Sequence, residues 1–196
     1  MIVAVRHARV WNPGGVVYAS LPGFHLADDG RQDAESFSRT LAPTPVRAIY
    51  SSPLDRAVET AEILARPHDI AVRTDSRLIE WSFWSNWQGM RWDRIRERDA
   101  DRLDAYSLDP ARACPEDPLG AVGERILAWA AEAHREHPDG LVLGVSHEAP
   151  MLAALLVGNG RGVAGFHSTN LPHLGTVRLL PGPAEALDVV AWAASW

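Results

Sequence analysis

MIVAVRHARVWN, residues 1–12, opens with four small or branched apolar residues, Ile2 to Val5, and then turns abruptly to Arg6 and His7. An apolar run without alternation reads as a strand buried on both faces, as in a parallel sheet covered by helices. Ending such a strand on an arginine and a histidine is costly unless the pair meets solvent or belongs to a site. The pattern recurs in TPVRAIYSS, 44–52, and in GLVLGVSH, 140–147, each an apolar run closed by serine or histidine. Segments of helical period separate these strands. One helix starts at Asp28 or Asp29, either placed to cap it, and runs to about residue 41. SSPLDRAVETAEILA, 51–65, predicts a helix with a serine cap and Pro53 in its first turn, and Ala57, Ala61 and Leu64 form its apolar stripe. Residues 119–136 predict an amphipathic helix through Val122, Ile126, Trp129 and Ala133, and EAPMLAALLVG a helix ending at Gly158. Residues 11–27 read as loop, and residues 78–118 as irregular with a helix at 91–103. Two late strands, near 174–180 and 187–193, complete the sheet, the last at an edge. The alternation predicts an α/β protein, a three-layer α/β/α sandwich with a mostly parallel central sheet.

Composition narrows the class. The 196 residues suit a single domain, and 46% hydrophobic with 22% charged residues is ordinary for a globular chain. The formal charge of −6, with both signs interspersed, argues against a nucleic-acid surface. A single cysteine, Cys114, forbids an intrachain disulfide or a cysteine-rich zinc site. Residues 1–5 are too short an apolar run for a signal peptide and have no basic residues before them. No stretch reaches the ~20 apolar residues of a membrane span. These features read as a reduced, cytoplasmic protein without a membrane partner, and they leave the oligomeric state open. Four of the eight tryptophans, Trp81, Trp84, Trp87 and Trp92, crowd into twelve residues, either packing a small subdomain or walling a pocket.

In α/β sheets ligands bind beyond the carboxyl ends of the strands. That rim would gather Arg6 and His7 from the first strand, Ser51, Ser52 and Arg56 from the second, and Ser146 and His147 from the third. Two arginine forks, two imidazoles and nearby helix N-termini suit a small dianion. A neutral imidazole can attack phosphorus, provided its other nitrogen is held as a donor. Glu80, within RLIEWSFW, has the aromatic setting that raises a carboxyl pKa and suits it to general acid work. His25, His68, His134, His137 and His173 read as structural or surface residues, and DRIRERDADR, 93–102, as a solvated helix face.

VRHARVWN, YSSPLDRAVETAEILA, LIEWSFWSNWQGM and VLGVSHEAPM together, and in this order, resemble the histidine phosphatase superfamily, the phosphoglycerate mutase-like fold. That resemblance spans nearly the whole chain and implies a single domain over 1–196, with residues about 81–118 as a small insertion over the active site. It implies that His7 is the nucleophile and becomes phosphohistidine. Arg6, Arg56 and His147 would bind the phosphoryl oxygens, with Asn12 beside them, and Glu80 would protonate the leaving group and then activate water. It implies no metal and no cofactor, because arginines supply the charge. Trp11, Trp84, Trp87, Glu148 and His167 are candidates for the substrate pocket.

Departures from the family pattern bear on substrate fit. Ala8 stands where the family has glycine, Arg9 and Val10 replace other residues, and one residue is added before Trp87. Glu148 replaces a glycine directly after His147, where it could repel an anionic substrate, pair with Arg9 or face away. The expected activity is metal-independent hydrolysis of a small phosphorylated metabolite, of the histidine acid phosphatase type. A mutase-type phosphotransferase and a non-catalytic binder of a phosphorylated ligand are the alternatives. The substrate itself is not legible.

Overall fold

The computed structural model describes residues 1–179 and 188–190. Six strands form one sheet: β1 (Ile2–Arg6), β2 (Val46–Ser51), β3 (Val72–Thr74), β4 (Leu141–Ser146), β5 (Thr176–Leu179) and β6 (Asp188–Val190). Their order is β3-β2-β4-β1-β5-β6. The pairings β1–β4, β2–β4 and β2–β3 are parallel, and β5 runs antiparallel to both β1 and β6. The mostly parallel sheet is therefore present, with β6 at an edge. The short strand β3 was not expected, since its Val-Arg-Thr is half-exposed and carries no apolar run. Beyond residue 190 the expected last strand lies outside the described residues.

Alternate residues of each strand feed two cores. Val3 and Val5 of β1, with Ile49, Leu143 and Val145, pack against Phe37 and Leu41 of α1 (Asp28–Leu41) and Ala57, Ala61 and Leu64 of α2 (Asp55–Ala65). Ile2, Ala4, Ala48 and Val142 face the other way. They meet α5 (Leu119–Glu136), through Val122, Ile126 and Trp129, and α6 (Glu148–Gly158), through Leu152 and Leu156. These two faces make the three layers. Gly123 lets α5 and α6 approach, because a Cβ there would stand 2.7 Å from the Ala153 carbonyl.

Two expected caps are absent. Ala27 and Leu54 occupy the N-cap positions of α1 and α2, neither with a side-chain cap bond. Asp28 and Asp29 lie instead in the first turn of α1, where their charge complements the helix dipole. Ser52 and Pro53 stay in the strand-to-helix turn, which frees the Ser52 hydroxyl for a histidine. The helix expected at 91–103 is broken into α3 (Ile95–Arg98) and α4 (Ala100–Leu108), preceded by 3-10 turns at Ser82–Trp87 and Trp92–Arg94. Asp99 interrupts it with non-helical backbone (φ −149°, ψ 54°), and its carboxylate accepts 2.8 Å from the Trp87 indole. Among the described residues, no helix is long and apolar enough to cross a membrane.

Candidate active site

Strand register builds the site. Arg6 pairs with Ser146 and Ser51 with Val145, so β1, β2 and β4 end at one level. The next residues continue that alignment: His7 N–H donates to the Ser146 carbonyl (3.0 Å) and Ser52 N–H to the Val145 carbonyl (2.8 Å). His7, Ser52 and His147 therefore leave three adjacent strands side by side. All three are buried, and the two imidazole centroids lie 5.2 Å apart.

Hydrogen bonds fix the tautomers. His7 Nδ1 lies 2.8 Å from the Ala8 carbonyl, which can only accept, so Nδ1 carries the proton and Nε2 keeps its lone pair. Arg56 Nε–H points at that lone pair from 3.3 Å. Arg56 Nη2 reaches His147 Nδ1 at 3.3 Å and donates to the Ala19 carbonyl at 2.6 Å. With Nδ1 of His147 acting as acceptor, its Nε2–H donates to Ser52 Oγ at 2.8 Å. The Arg56 guanidinium also lies over the Tyr18 ring, 4.7 Å from its centroid. Burial, and after it the charge of Arg56, hold both imidazoles well below their ordinary pKa.

Arg6 donates to the Leu171 carbonyl and pairs with Glu148 at 3.0 Å, while its Nε is buried without a hydrogen-bond partner. Glu148 thus takes neither Arg9, which pairs with Asp29 at 3.1 Å, nor an outward orientation. Glu80 stands opposite, with Oε2 4.0 Å from His147 Nδ1 and Oε1 accepting 2.8 Å from the Trp81 N–H. Burial raises its pKa against the opposing pull of that N–H and of Arg56. Arg125 of α5 secures the Glu80 segment, donating to the carbonyls of Arg77, Ile79 (2.6 Å) and Glu80 (3.3 Å). Ala8 fits in place of glycine: it is fully buried, and its N–H donates 3.1 Å to Thr60 Oγ1.

A cleft of about 360 Å³ opens over these groups. Arg6, His7, Glu80, Glu148, Trp84 and His167 line it, together with Tyr18, Trp92, Tyr106, Phe166 and Thr169. Arg56 and His147 lie buried beside His7 and are not part of the cleft lining, and three further expected residues stand away from it. Asn12 closes its own loop, donating 2.8 Å to the Val16 carbonyl and accepting 3.1 Å from the Val16 N–H. Trp11 is 66% exposed beside it, in a separate surface hollow. Trp87 is buried on Asp99 and against Phe83. The tryptophan cluster does both things asked of it: Trp81 and Trp87 pack inward with Phe83, and Trp84 and Trp92 wall the cleft. Sequence reasoning missed Tyr18, Tyr106, Phe166 and Thr60, which carry no motif and arrive through loops and helix faces. It also set His173 aside. That ring lies 5.4 Å from His7, and its Nδ1–H donates 3.0 Å to the His7 carbonyl.

Comparison with known proteins places this geometry. The family model of the histidine phosphatase superfamily (branch 1) matches residues 2–194. An uncharacterized protein of Mycobacterium tuberculosis is 49% identical over 76 residues, a match that spans 39% of this chain and 38% of that relative. Phosphoserine phosphatase 1 of Hydrogenobacter thermophilus is 29% identical over 155 residues, 78% of this chain and 72% of the other. The structure of a mycobacterial glucosyl-3-phosphoglycerate phosphatase with VO3 superposes with a TM-score of 0.81 at 26% identity, covering 99% of this chain and 98% of that one.

Proposed function

The chain belongs to the histidine phosphatase superfamily (branch 1), and on that premise we propose that it hydrolyses a small phosphate monoester through a phosphohistidine on His7. The observation that carries this reading is the His7 tautomer. Its Nδ1–H is tied to the Ala8 carbonyl, which leaves the Nε2 lone pair beside Arg56 on the floor of the cleft. Nε2 attacks phosphorus and the bond to the leaving oxygen breaks. Glu80, whose protonated form burial favours, donates its proton to that oxygen, so the product departs as a neutral alcohol. Glu80, now ionised, takes a proton from water as the hydroxyl adds to phosphorus. The N–P bond breaks, and inorganic phosphate leaves with both groups restored. Arg6 and Arg56 hold the phosphoryl oxygens, and their two guanidinium charges meet the dianion without a metal, while His147, whose Nε2–H is committed to Ser52, positions Arg56 through Nδ1. Residues 81–118 cover the site and supply part of its wall through Trp84, Trp92 and Tyr106. Two relatives named for phosphoserine and glucosyl-3-phosphoglycerate support a small phosphorylated metabolite as substrate.

The test is hydrolysis of p-nitrophenyl phosphate in EDTA by wild type and His7→Ala. Turnover that survives EDTA and disappears in the folded variant is expected. Turnover retained by His7→Ala would remove the nucleophile assignment, and turnover that needs a bisphosphate primer would make the protein a mutase.

A further inference from the structure

We propose that Glu148 is a specificity-determining residue that admits phosphate esters of flat, apolar, neutral or cationic alcohols and turns away esters whose alcohol carries a carboxylate. This rests on the phosphatase reading and concerns the other half of the same cleft. Once the phosphoryl group occupies Arg6 and Arg56, the leaving group faces the remaining lining. That lining is aromatic through Trp84, Trp92, Tyr106, Phe166 and His167, whose rings touch in succession, and Val17 and Tyr18 add to it. The charged lining residues are Arg6, Glu80 and Glu148, so among the described residues no cation is left for the alcohol portion.

Glu148 opens α6 and is anchored where it can act on a ligand. Its Oε2 pairs with Arg6 at 3.0 Å, its Oε1 accepts 3.4 Å from the Leu171 N–H, and about a third of the side chain remains exposed. Ala149 and Leu152, on the same helix, continue the cleft wall. The Tyr106 hydroxyl feels this carboxylate together with Glu80, and with burial they push its pKa up to about 12. A substrate carboxylate set among these rings would meet the like charge of Glu148, where aromatic walls reduce the screening of that repulsion. An ammonium or hydroxyl would find a carboxylate whose two oxygens, each holding one partner, have lone pairs to spare, and aromatic faces that attract cations.

The experiment uses three ring esters with leaving oxygens of similar basicity: phenyl phosphate, 4-(aminomethyl)phenyl phosphate and 4-carboxyphenyl phosphate. Wild type should show kcat/KM at least about tenfold lower for the carboxylate ester than for the other two. Glu148→Gln, of nearly the same shape, should shrink that gap mainly through KM, whereas Glu148→Asp, which keeps the charge, should preserve the ranking. Circular dichroism and melting temperature confirm that both variants fold. Equal use of all three esters by wild type, or an unchanged ranking in Glu148→Gln, would overturn the proposal and leave the phosphatase reading standing. If no ester is turned over and vanadate does not stabilise the protein, the phosphatase reading fails, and the assignment of Glu148 fails with it.

Discussion

Lowering the pH from about 7 to about 5 probes the protonation states on which the proposed chemistry depends. Arg56 directs one N–H at His7 Nε2 and another at His147 Nδ1, each from 3.3 Å. Protonating either ring would set N–H against N–H in a buried place, beside a fixed cation. Both imidazoles therefore titrate well below 6.5 in the folded protein, through burial first and Arg56 second. In the unfolded chain they titrate near 6.5. Depressed folded pKa values mean that the stabilisation is complete above about pH 6.5 and is lost as the pH falls from there toward the folded values. Across that window the unfolded chain takes up two protons that the folded protein refuses. Each is worth about 1.4 kcal/mol per pH unit, so the pair gives about 2.7 kcal/mol per pH unit. For a chain of this size that is a fall in Tm of about 5–11 °C per pH unit. Urea melts from pH 7 downward would measure it, in buffers free of phosphate and sulfate, since a bound oxyanion would stabilise the folded state. His7→Gln and His147→Gln each remove one titrating ring, and each should lower the slope by about 1.4 kcal/mol per pH unit. Slopes unchanged in both variants would show that the folded site accepts these protons and refute the assigned tautomers.

Glu80→Gln should slow the first phosphoryl transfer from alkyl phosphates by about a hundredfold or more while sparing the p-nitrophenolate burst, whose leaving group needs no proton, and steady turnover of both would then wait on water activation. Equal losses in that first transfer on both ester types would move the acid role to another group. Gly144→Ala should destabilise by about 1–3 kcal/mol, because the new Cβ would lie within 2.8 Å of three Trp129 ring carbons deep in the core. A melting temperature within about 1 °C of wild type would show that this contact yields freely.

The fold was legible where apolar runs are long and unbroken. β1, β2 and β4 are buried on both faces, so their sequences state their own environment, and α5 and α6 carry continuous apolar faces. β3 was not legible, because three half-exposed residues at a sheet edge carry no pattern. The caps failed for a different reason. Ser52 has the chemistry of a cap, but tertiary packing commits its hydroxyl to His147. In the site, residues at strand ends could be read because register alone brings them together. Arg56 followed from its place on the second turn-and-helix motif. Asn12 did not follow, since an asparagine in a Gly-Pro loop is as well satisfied by its own backbone, and Val16 takes both ends of its amide. His173 was obscured for the opposite reason. Its role depends on the loop from Leu171 to Gly175 folding back over β1, where Leu174 N–H donates to the Arg6 carbonyl at 3.0 Å.

The cost of ending β1 on Arg6-His7 is met by groups from every neighbouring element. The Ser146 carbonyl of β4, the Arg56 guanidinium of α2, the Leu171 carbonyl and Glu148 of α6 each satisfy one polar atom of the pair. Buried polar groups are tolerated only when so partnered, and partly satisfied networks are the costly ones. Two donors here remain available to an oxyanion: Arg6 Nε has no partner, and Arg56 Nε–H reaches His7 at a long 3.3 Å. Full satisfaction of this network therefore calls for an acceptor that the protein does not itself provide, and a phosphoryl group carries three acceptor oxygens. On this reasoning the polar rim at the strand ends suits a phosphoryl ligand, and the neighbouring carboxylate, Glu148, decides which ester of that ligand can stay.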